Sequence, residues 1–308
     1  MHGYGGRILH IDVTSGRSRI EPVSEDRARS LLGGNGFAAR LLLDLVPAGI
    51  DAYDPANAVV FAVGPITDTA VPGNSRACVA SKSPLTGLFF DSTFGGRFPA
   101  TMKRTGFDAI VISGRAPEPS YVKVTEAGAE LIPARALWGA TTRDAVNAIQ
   151  AVEGADTDVM AIGPAGERLV RFAAMGTYWK NREGFAGRGG IAAVLGAKHV
   201  KAVAVAGTRK TQLADPALLK TLLDERREPL MTGTKALATY GTPFLVKPIN
   251  TLGALGAYNL RQETFADALA ISGEEMRAHH HARDTTCLKC PVACGKQYEI
   301  RDGELQGL

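Results

Sequence analysis

Cys287, Cys290 and Cys294 stand in the run Cys-Leu-Lys-Cys-Pro-Val-Ala-Cys, so three of the chain's four cysteines fall within eight residues. A disulfide framework needs an even set of cysteines spread through a small secreted domain, and a structural zinc site needs a second Cys or His pair at similar spacing. Neither pattern is present. CxxC followed by CxxxC sets three thiolates on one turn of chain, which suits three corners of an iron-sulfur cubane whose fourth thiolate comes from a distant segment. The fourth cysteine, Cys78, lies in the apolar stretch Ala-Cys-Val-Ala and reads as a buried small hydrophobe. His279, His280 and His281 are adjacent, and adjacent residues of a helix point in different directions, so they read as a solvated helix end rather than a ligand set.

The second chemical signal is glycine. The 35 glycines include the pairs Gly5-Gly6, Gly33-Gly34, Gly95-Gly96 and Gly189-Gly190, which mark tight turns or close backbone approaches. Two of the pairs open the same plan. Gly95-Gly96 and Gly189-Gly190 each lead into a short helical pattern, and twelve or thirteen residues later into an apolar strand, Ala109–Gly114 and Ala202–Gly207. This recurrence implies two related halves. A glycine loop leading into a helix offers unpaired backbone N–H groups to a phosphate, or serves tight packing alone; local sequence leaves both readings open.

The elements that carry these signals follow from pattern. Arg7–Val13 and Arg17–Val23 alternate around Thr14-Ser15-Gly16 as a hairpin. Ser24 caps a short helix, Gly36–Val46 is helical up to Pro47, and Ala58–Val63, Ala77–Ala80 and Leu88–Asp91 are strands, with Thr93–Gly96 a loop. Tyr121–Val124, Leu131–Pro133 and Asp158–Ile162 are strands, and Thr141–Val152 is an amphipathic helix. From Asp215-Pro216 onward the chain reads as helix and loop. The expected class is α+β: a β-rich domain of two pseudo-symmetric sheets over 1–208, then a partial helical domain over 209–308 carrying the cysteines.

Composition bounds the function. With 308 residues, 45% hydrophobic and 21% charged, the chain can bury a large core. The net charge of +4 is spread out and aromatics are only 6%, which excludes a nucleic-acid stripe. No apolar run is long enough to span a bilayer, and the first residues do not form a signal peptide. The expectation is a cytoplasmic protein with reduced thiols. A dinucleotide enzyme is disfavoured because no GxGxxG follows a first strand.

Four stretches together carry a resemblance. Gly5–Asp12 (GGRILHID), Ala80–Gly87 (ASKSPLTG), Ala186–Gly190 (AGRGG) and the triple-cysteine run resemble the tungsten-containing aldehyde ferredoxin oxidoreductases, in the same order and over the whole chain. Proteins of that family are about twice as long, so the chain resembles their first half. The resemblance implies a tungsten or molybdenum bis-pterin cofactor lying on the two β-rich halves, with a magnesium ion bridging its phosphates and a 4Fe-4S cluster beside it. Carried over by motif, Arg76 contacts one pterin and the Thr93, Gly95 and Gly96 segment wraps its phosphate. Phe185, Gly187 and Arg188 do the same for the second, with main-chain carbonyls at Thr93 and Phe185 directed to magnesium. The chain departs from the family in having Thr93-Phe94 where Asn-Ser is usual, and Gly184 where arginine is common. The resemblance makes Cys287, Cys290 and Cys294 cluster ligands, and puts the fourth cysteine and the acid-base pair beyond Leu308, so no catalytic side chain is assigned.

The implied activity is oxidation of an aldehyde to a carboxylic acid, with electrons leaving through the cluster to ferredoxin or another electron-transfer protein. A homodimer or a second chain would supply the missing half. The alternatives are another reaction of the family, such as reduction of an aromatic acyl-CoA, and a non-enzymatic iron-sulfur electron-transfer or scaffold subunit.

Overall fold

The computed structural model describes residues 1–180 and 182–307. They form two compact units, Met1–Ala214 and Asp215–Leu308, the latter described to 307. Segment 209–213 belongs with the first unit because it is tied there: Gly3 N donates to Gln212 O (2.7 Å) and Arg209 Nε to Glu126 Oε2 (3.0 Å).

The first half of unit one runs β1 (Arg7–Asp12), β2 (Arg17–Pro22), α1 (Glu25–Leu31), α2 (Asn35–Leu45), β3 (Val59–Val63), β4 (Arg76–Lys82), β5 (Phe89–Gly95), α3 (Phe98–Arg104) and β6 (Ala109–Ser113). The second runs β7 (Ser120–Thr125), β8 (Gly128–Pro133), α4 (Thr142–Glu153), β9 (Asp158–Ile162), α5 (Pro164–Glu167), β10 (Met175–Trp179), β11 (Arg182–Ala186), α6 (Ile191–Ala197) and β12 (Val200–Val205). Each half makes one six-stranded sheet. The orders are β2-β1-β6-β3-β4-β5 and, read from the other end, β8-β7-β12-β9-β10-β11. Only β1/β6 and β7/β12 are parallel, and every other neighbour is antiparallel. The halves inferred from the recurring glycine pairs are thus one topology used twice.

The sequence explains the layers. The β3 run Val-Val-Phe-Ala-Val and β9 are buried at every position, as strands covered on both faces must be. One core lies between the sheets and takes Phe61 and Phe94 from the first, Met160 and Met175 from the second, and residues of the buried helices α3 and α6. The outer face of the first sheet is covered by α2, which buries Phe37, Ala38, Leu41 and Leu42 on one face. That of the second is covered by α4 through Ala145, Val146 and Ile149. The α1 and α4 starts are capped as read from sequence: Ser24 Oγ accepts from Arg27 N (3.2 Å) and Thr141 Oγ1 from Asp144 N (3.2 Å).

Three features depart from the sequence reading. Thr93–Gly95 is not loop but the end of β5, paired along its length to β4. The hairpin β10/β11 stood in no sequence reading, because its Met-Gly-Thr-Tyr-Trp and Arg-Glu-Gly-Phe-Ala runs carry interior glycines that weaken a strand signal. Unit two, expected as helix and loop, has α7 (Pro216–Gly233), α8 (Lys235–Tyr240), α9 (Val246–Thr251) and α10 (Gly273–His279), but also the hairpin β13 (His281–Thr285) and β14 (Gly295–Tyr298). No helix among the described residues is long and apolar enough to cross a membrane.

Candidate functional site: a two-fold cradle and a thiol loop

Edge strands β5 and β11 come together, one from each sheet. Their registers make them equivalent. Thr93 pairs with Cys78, which pairs with Ala62; Phe185 pairs with Gly176, which pairs with Ala161. Ala62 and Ala161 hold matching places, opposite Ala109 and Ala202. Thr93 and Phe185, chosen from motif alone, are therefore symmetry mates, and both side chains are exposed between buried neighbours. Gly95 and Gly187 are mates by the same count.

The approach of the two edges depends on a missing side chain. A Cβ on Gly184 would stand 2.3 Å from Gly95 O and 3.1 Å from Thr177 Cγ2, so no larger side chain, the arginine expected from the resemblance included, has room here. The 186–190 segment is fastened to the first half by the Ala80–Gly87 motif: Ser83 Oγ donates to Gly189 O (2.7 Å). Gly190, at φ +67°, lies where a Cβ would be 1.8 Å from Arg171 O.

Arg76 begins β4 opposite Gly95, and Arg188 follows Gly187. Both are exposed, and neither guanidinium has an ion-pair partner among the described residues. Arg97, next to the first glycine pair, differs: its Nε reaches Asp158 Oδ1 and Oδ2 at 3.0 and 2.8 Å. Asp158 is fully buried in the second half, where burial raises its carboxyl above the usual range against the pull of Arg97. Arg97 is thus a structural tie across the repeat. The sequence reading missed Asn74, signalled only by the turn Gly73-Asn74-Ser75. It is 2% exposed, and its Oδ1 is buried without a hydrogen-bond partner beside Arg76. Two unpaired arginines and glycine backbone at mated positions suit a pseudo-symmetric anionic group, and the orphaned Asn74 Oδ1 suits an N–H or O–H donor on it.

Cys287, Cys290 and Cys294 lie half-buried in the connection between β13 and β14, all free. Thr286 Oγ1 donates to Cys287 O (3.0 Å) and Cys290 O (2.6 Å), and Cys290 N to Cys287 O (3.2 Å). Lys296 Nζ anchors the other end on Ala293 O (2.9 Å) and Ala238 O (2.6 Å). Three thiols are the right donors for an iron-sulfur cluster, but no group of three or more His, Cys, Asp or Glu side chains able to hold a metal ion is gathered among the described residues. Cys78 is 2% exposed in β4, and burial pushes its thiol up to about 12, the state of an inert core thiol. His279 faces Glu275 and ends α10, while His281 begins β13 and bonds Asp284.

Residues 8–207 match the family described as aldehyde ferredoxin oxidoreductase, N-terminal domain, and residues 220–308 match the same family's domains 2 and 3. The chain belongs to the aldehyde ferredoxin oxidoreductase family. It is 36% identical to the tungsten-containing aldehyde ferredoxin oxidoreductase of Pyrococcus abyssi, an alignment covering all of this chain and 51% of the relative. It is 26% identical to the aliphatic sulfonate oxidoreductase, WOR-like subunit, of Pyrococcus furiosus, again over all of this chain and 51% of that protein. Among solved structures it resembles the active-site complex BamBC of benzoyl coenzyme A reductase in complex with 1,5-dienoyl-CoA, with a TM-score of 0.83 and 28% identity over 97% of this chain and 48% of that one. The chain spans about half the length of these relatives.

Proposed function

We propose that this chain is the cofactor-holding half of an aldehyde:ferredoxin oxidoreductase. The observation that carries the reading is the pseudo-two-fold match of Thr93 with Phe185 and of Gly95 with Gly187 at the junction of the two sheets. A cofactor built of two like pterins has the same symmetry. When bound, a tungsten or molybdenum bis-pterin centre supplies the two-electron chemistry that oxidises an aldehyde to a carboxylic acid.

In this reading the chain's own residues bind and orient. Arg76 and Arg188 each form a charge-assisted contact to one pterin or its phosphate. The Gly95-Gly96 and Gly187 backbone approaches the phosphates closely, since no side chain stands in the way. The carbonyls of Thr93 and Phe185 would be the oxygen donors to a magnesium ion, a hard cation that takes oxygen ligands. Cys287, Cys290 and Cys294 would supply three thiolates to a 4Fe-4S cluster, with a fourth ligand from elsewhere, and such a cluster would provide one-electron transfer toward ferredoxin.

Reduction of an aromatic acyl-CoA is the second reading, favoured by the likeness to benzoyl coenzyme A reductase. The two share the cradle and differ in substrate.

The test is elemental analysis for tungsten, molybdenum and iron, with pterin fluorescence, on protein purified anaerobically from a tungstate-fed host. Tungsten or molybdenum with pterin, and about four irons per chain that are lost in Cys287→Ala, is the expected result. Protein free of both metal and pterin would overturn it.

A further inference from the structure

Asn74 Oδ1, Arg182 Nε, Glu274 Oε2 and His280 Nδ1 are buried without a hydrogen-bond partner among the described residues. A polar group buried unpaired costs stability, so such atoms are uncommon and mark places where a partner is missing. The first two belong to unit one. Both flank the Gly95-Gly96 pair, one from each half.

On the first-half side, Ser75 Oγ donates to Gly96 O, which sets the turn 73–75 against the second glycine. Asn74 is 2% exposed in that turn. Its Nδ2 donates to Val71 O at 2.7 Å, and because only the amide nitrogen can serve a carbonyl, that bond fixes which end of the side chain is left over. The left-over end is an acceptor.

On the second-half side, Arg182 begins β11 on the same face as Gly184, whose lack of a side chain lets Gly95 O close in. Its register partner is Trp179, and the guanidinium of Arg97, the residue after the glycine pair, lies 5.8 Å from the Trp179 ring centroid. Arg182 has no ion-pair partner among the described residues. Its buried Nε is a donor.

The repeat shows that the acceptor belongs to one half alone. Counted back from the matched residues Cys78 and Gly176, Ala173 holds the place of Ser75 and Phe172 that of Asn74. Ala173 is buried as Ser75 is, but Phe172 is 70% exposed.

A phosphate that has lost its protons carries acceptors only, so it answers Arg182 and leaves Asn74 orphaned. A pterin ring adds N–H donors to those acceptors, and a whole pterin answers both. We infer that Asn74 and Arg182 are contacts to the pterin held by the first half, Asn74 accepting from a ring N–H and Arg182 donating to an acceptor of the same molecule. The two halves then hold their pterins by unlike chemistry. This assignment rests on the cofactor reading above and adds to it the half that reads the ring.

The test is pterin release on timed dialysis, followed by fluorescence, from anaerobically purified protein and from Asn74→Leu, Asn74→Asp, Arg182→Met and Phe172→Ala. Asn74→Leu and Arg182→Met are each expected to release pterin about tenfold faster than the parent, and Phe172→Ala at the parental rate. Both Asn74 variants give up the amide bond to Val71 O, but only the aspartate keeps an acceptor, so Asn74→Asp is expected to hold pterin close to the parental rate. Replacing an orphaned group by an apolar one leaves stability unchanged or raised, so cofactor-free Arg182→Met is expected to melt no lower than the cofactor-free parent. A parent without pterin would overturn the cofactor reading and this assignment with it. With pterin in the parent, unchanged release from Asn74→Leu or Arg182→Met, release from Asn74→Asp as fast as from Asn74→Leu, or a lowered melting point of cofactor-free Arg182→Met would overturn this assignment alone.

Discussion

A methyl group at residue 184 would have to stand 2.3 Å from the carbonyl oxygen of Gly95, and the obstacle is backbone on an edge strand, which cannot swing aside as a side chain could. Gly184→Ala is therefore expected to cost about 2 kcal/mol of stability by the overpacking rule and to push β5 from β11. Chemical denaturation measures the first, and loss of pterin from protein that still melts cooperatively measures the second. Wild-type stability with wild-type pterin content would show that the two edges are not held together as described. Lys198 makes the complementary point about burial. Its ammonium, 1% exposed, donates to the main-chain oxygens of Pro55 (3.0 Å) and Gly114 (3.1 Å) and also to Asn57 O. Lys198→Met is expected to destabilise by about 3 kcal/mol, because three buried acceptors lose their donor, and calorimetric unfolding reads the loss directly.

At the scale of elements, the stretch after β12 shows how a linker is assigned to one side. Glu126 accepts from Thr208 N (2.9 Å), Thr208 Oγ1 (2.7 Å) and Arg209 Nε (3.0 Å), and these bonds, the threonine's first, hold its carboxyl down to about 2. A carboxylate whose folded value lies below its unfolded one contributes stability that is complete above about pH 4.5 and is lost as the pH falls toward 2. Segment 208–212 is expected to become protease-sensitive across that window, and Glu126→Gln to show the same sensitivity already at neutral pH. Cleavage of the variant at the wild-type rate at pH 7 would exclude the carboxylate as the fastener. The mated positions 108 and 201 show that the repeat conserves neutralisation rather than sign. Asp108 is paired with Lys103 (2.5 Å), and Lys201 is paired with Glu167, all four side chains buried. A buried charge must have a partner, and either polarity satisfies the requirement.

At the scale of the whole molecule, the two-fold repeat brings one proposed arginine contact from each half to the cradle, from non-equivalent positions. Arg76→Ala and Arg188→Ala are each expected to weaken pterin retention by about tenfold, with the pair compounding, since each removes one charge-assisted contact of about 1.5 kcal/mol. Pterin content after dialysis compares them, and a large loss from one variant with none from the other would argue against each arginine holding one pterin. Much of this architecture was legible beforehand. The glycine-pair plan announced the repeat, apolar runs located β3, β6, β9 and β12, and the caps at Ser24 and Thr141 started their helices, because all of these are written in near-neighbour chemistry. Cys287, Cys290 and Cys294 announced themselves by spacing alone, and the sequence by itself determined which residues could do chemistry. Which of them meet was decided only in three dimensions. The mating of Thr93 with Phe185, the commitment of Arg97 to Asp158 and the strand character of Thr93–Gly95 all depend on partners outside any local window; strand register and burial join such residues, and no local pattern encodes them.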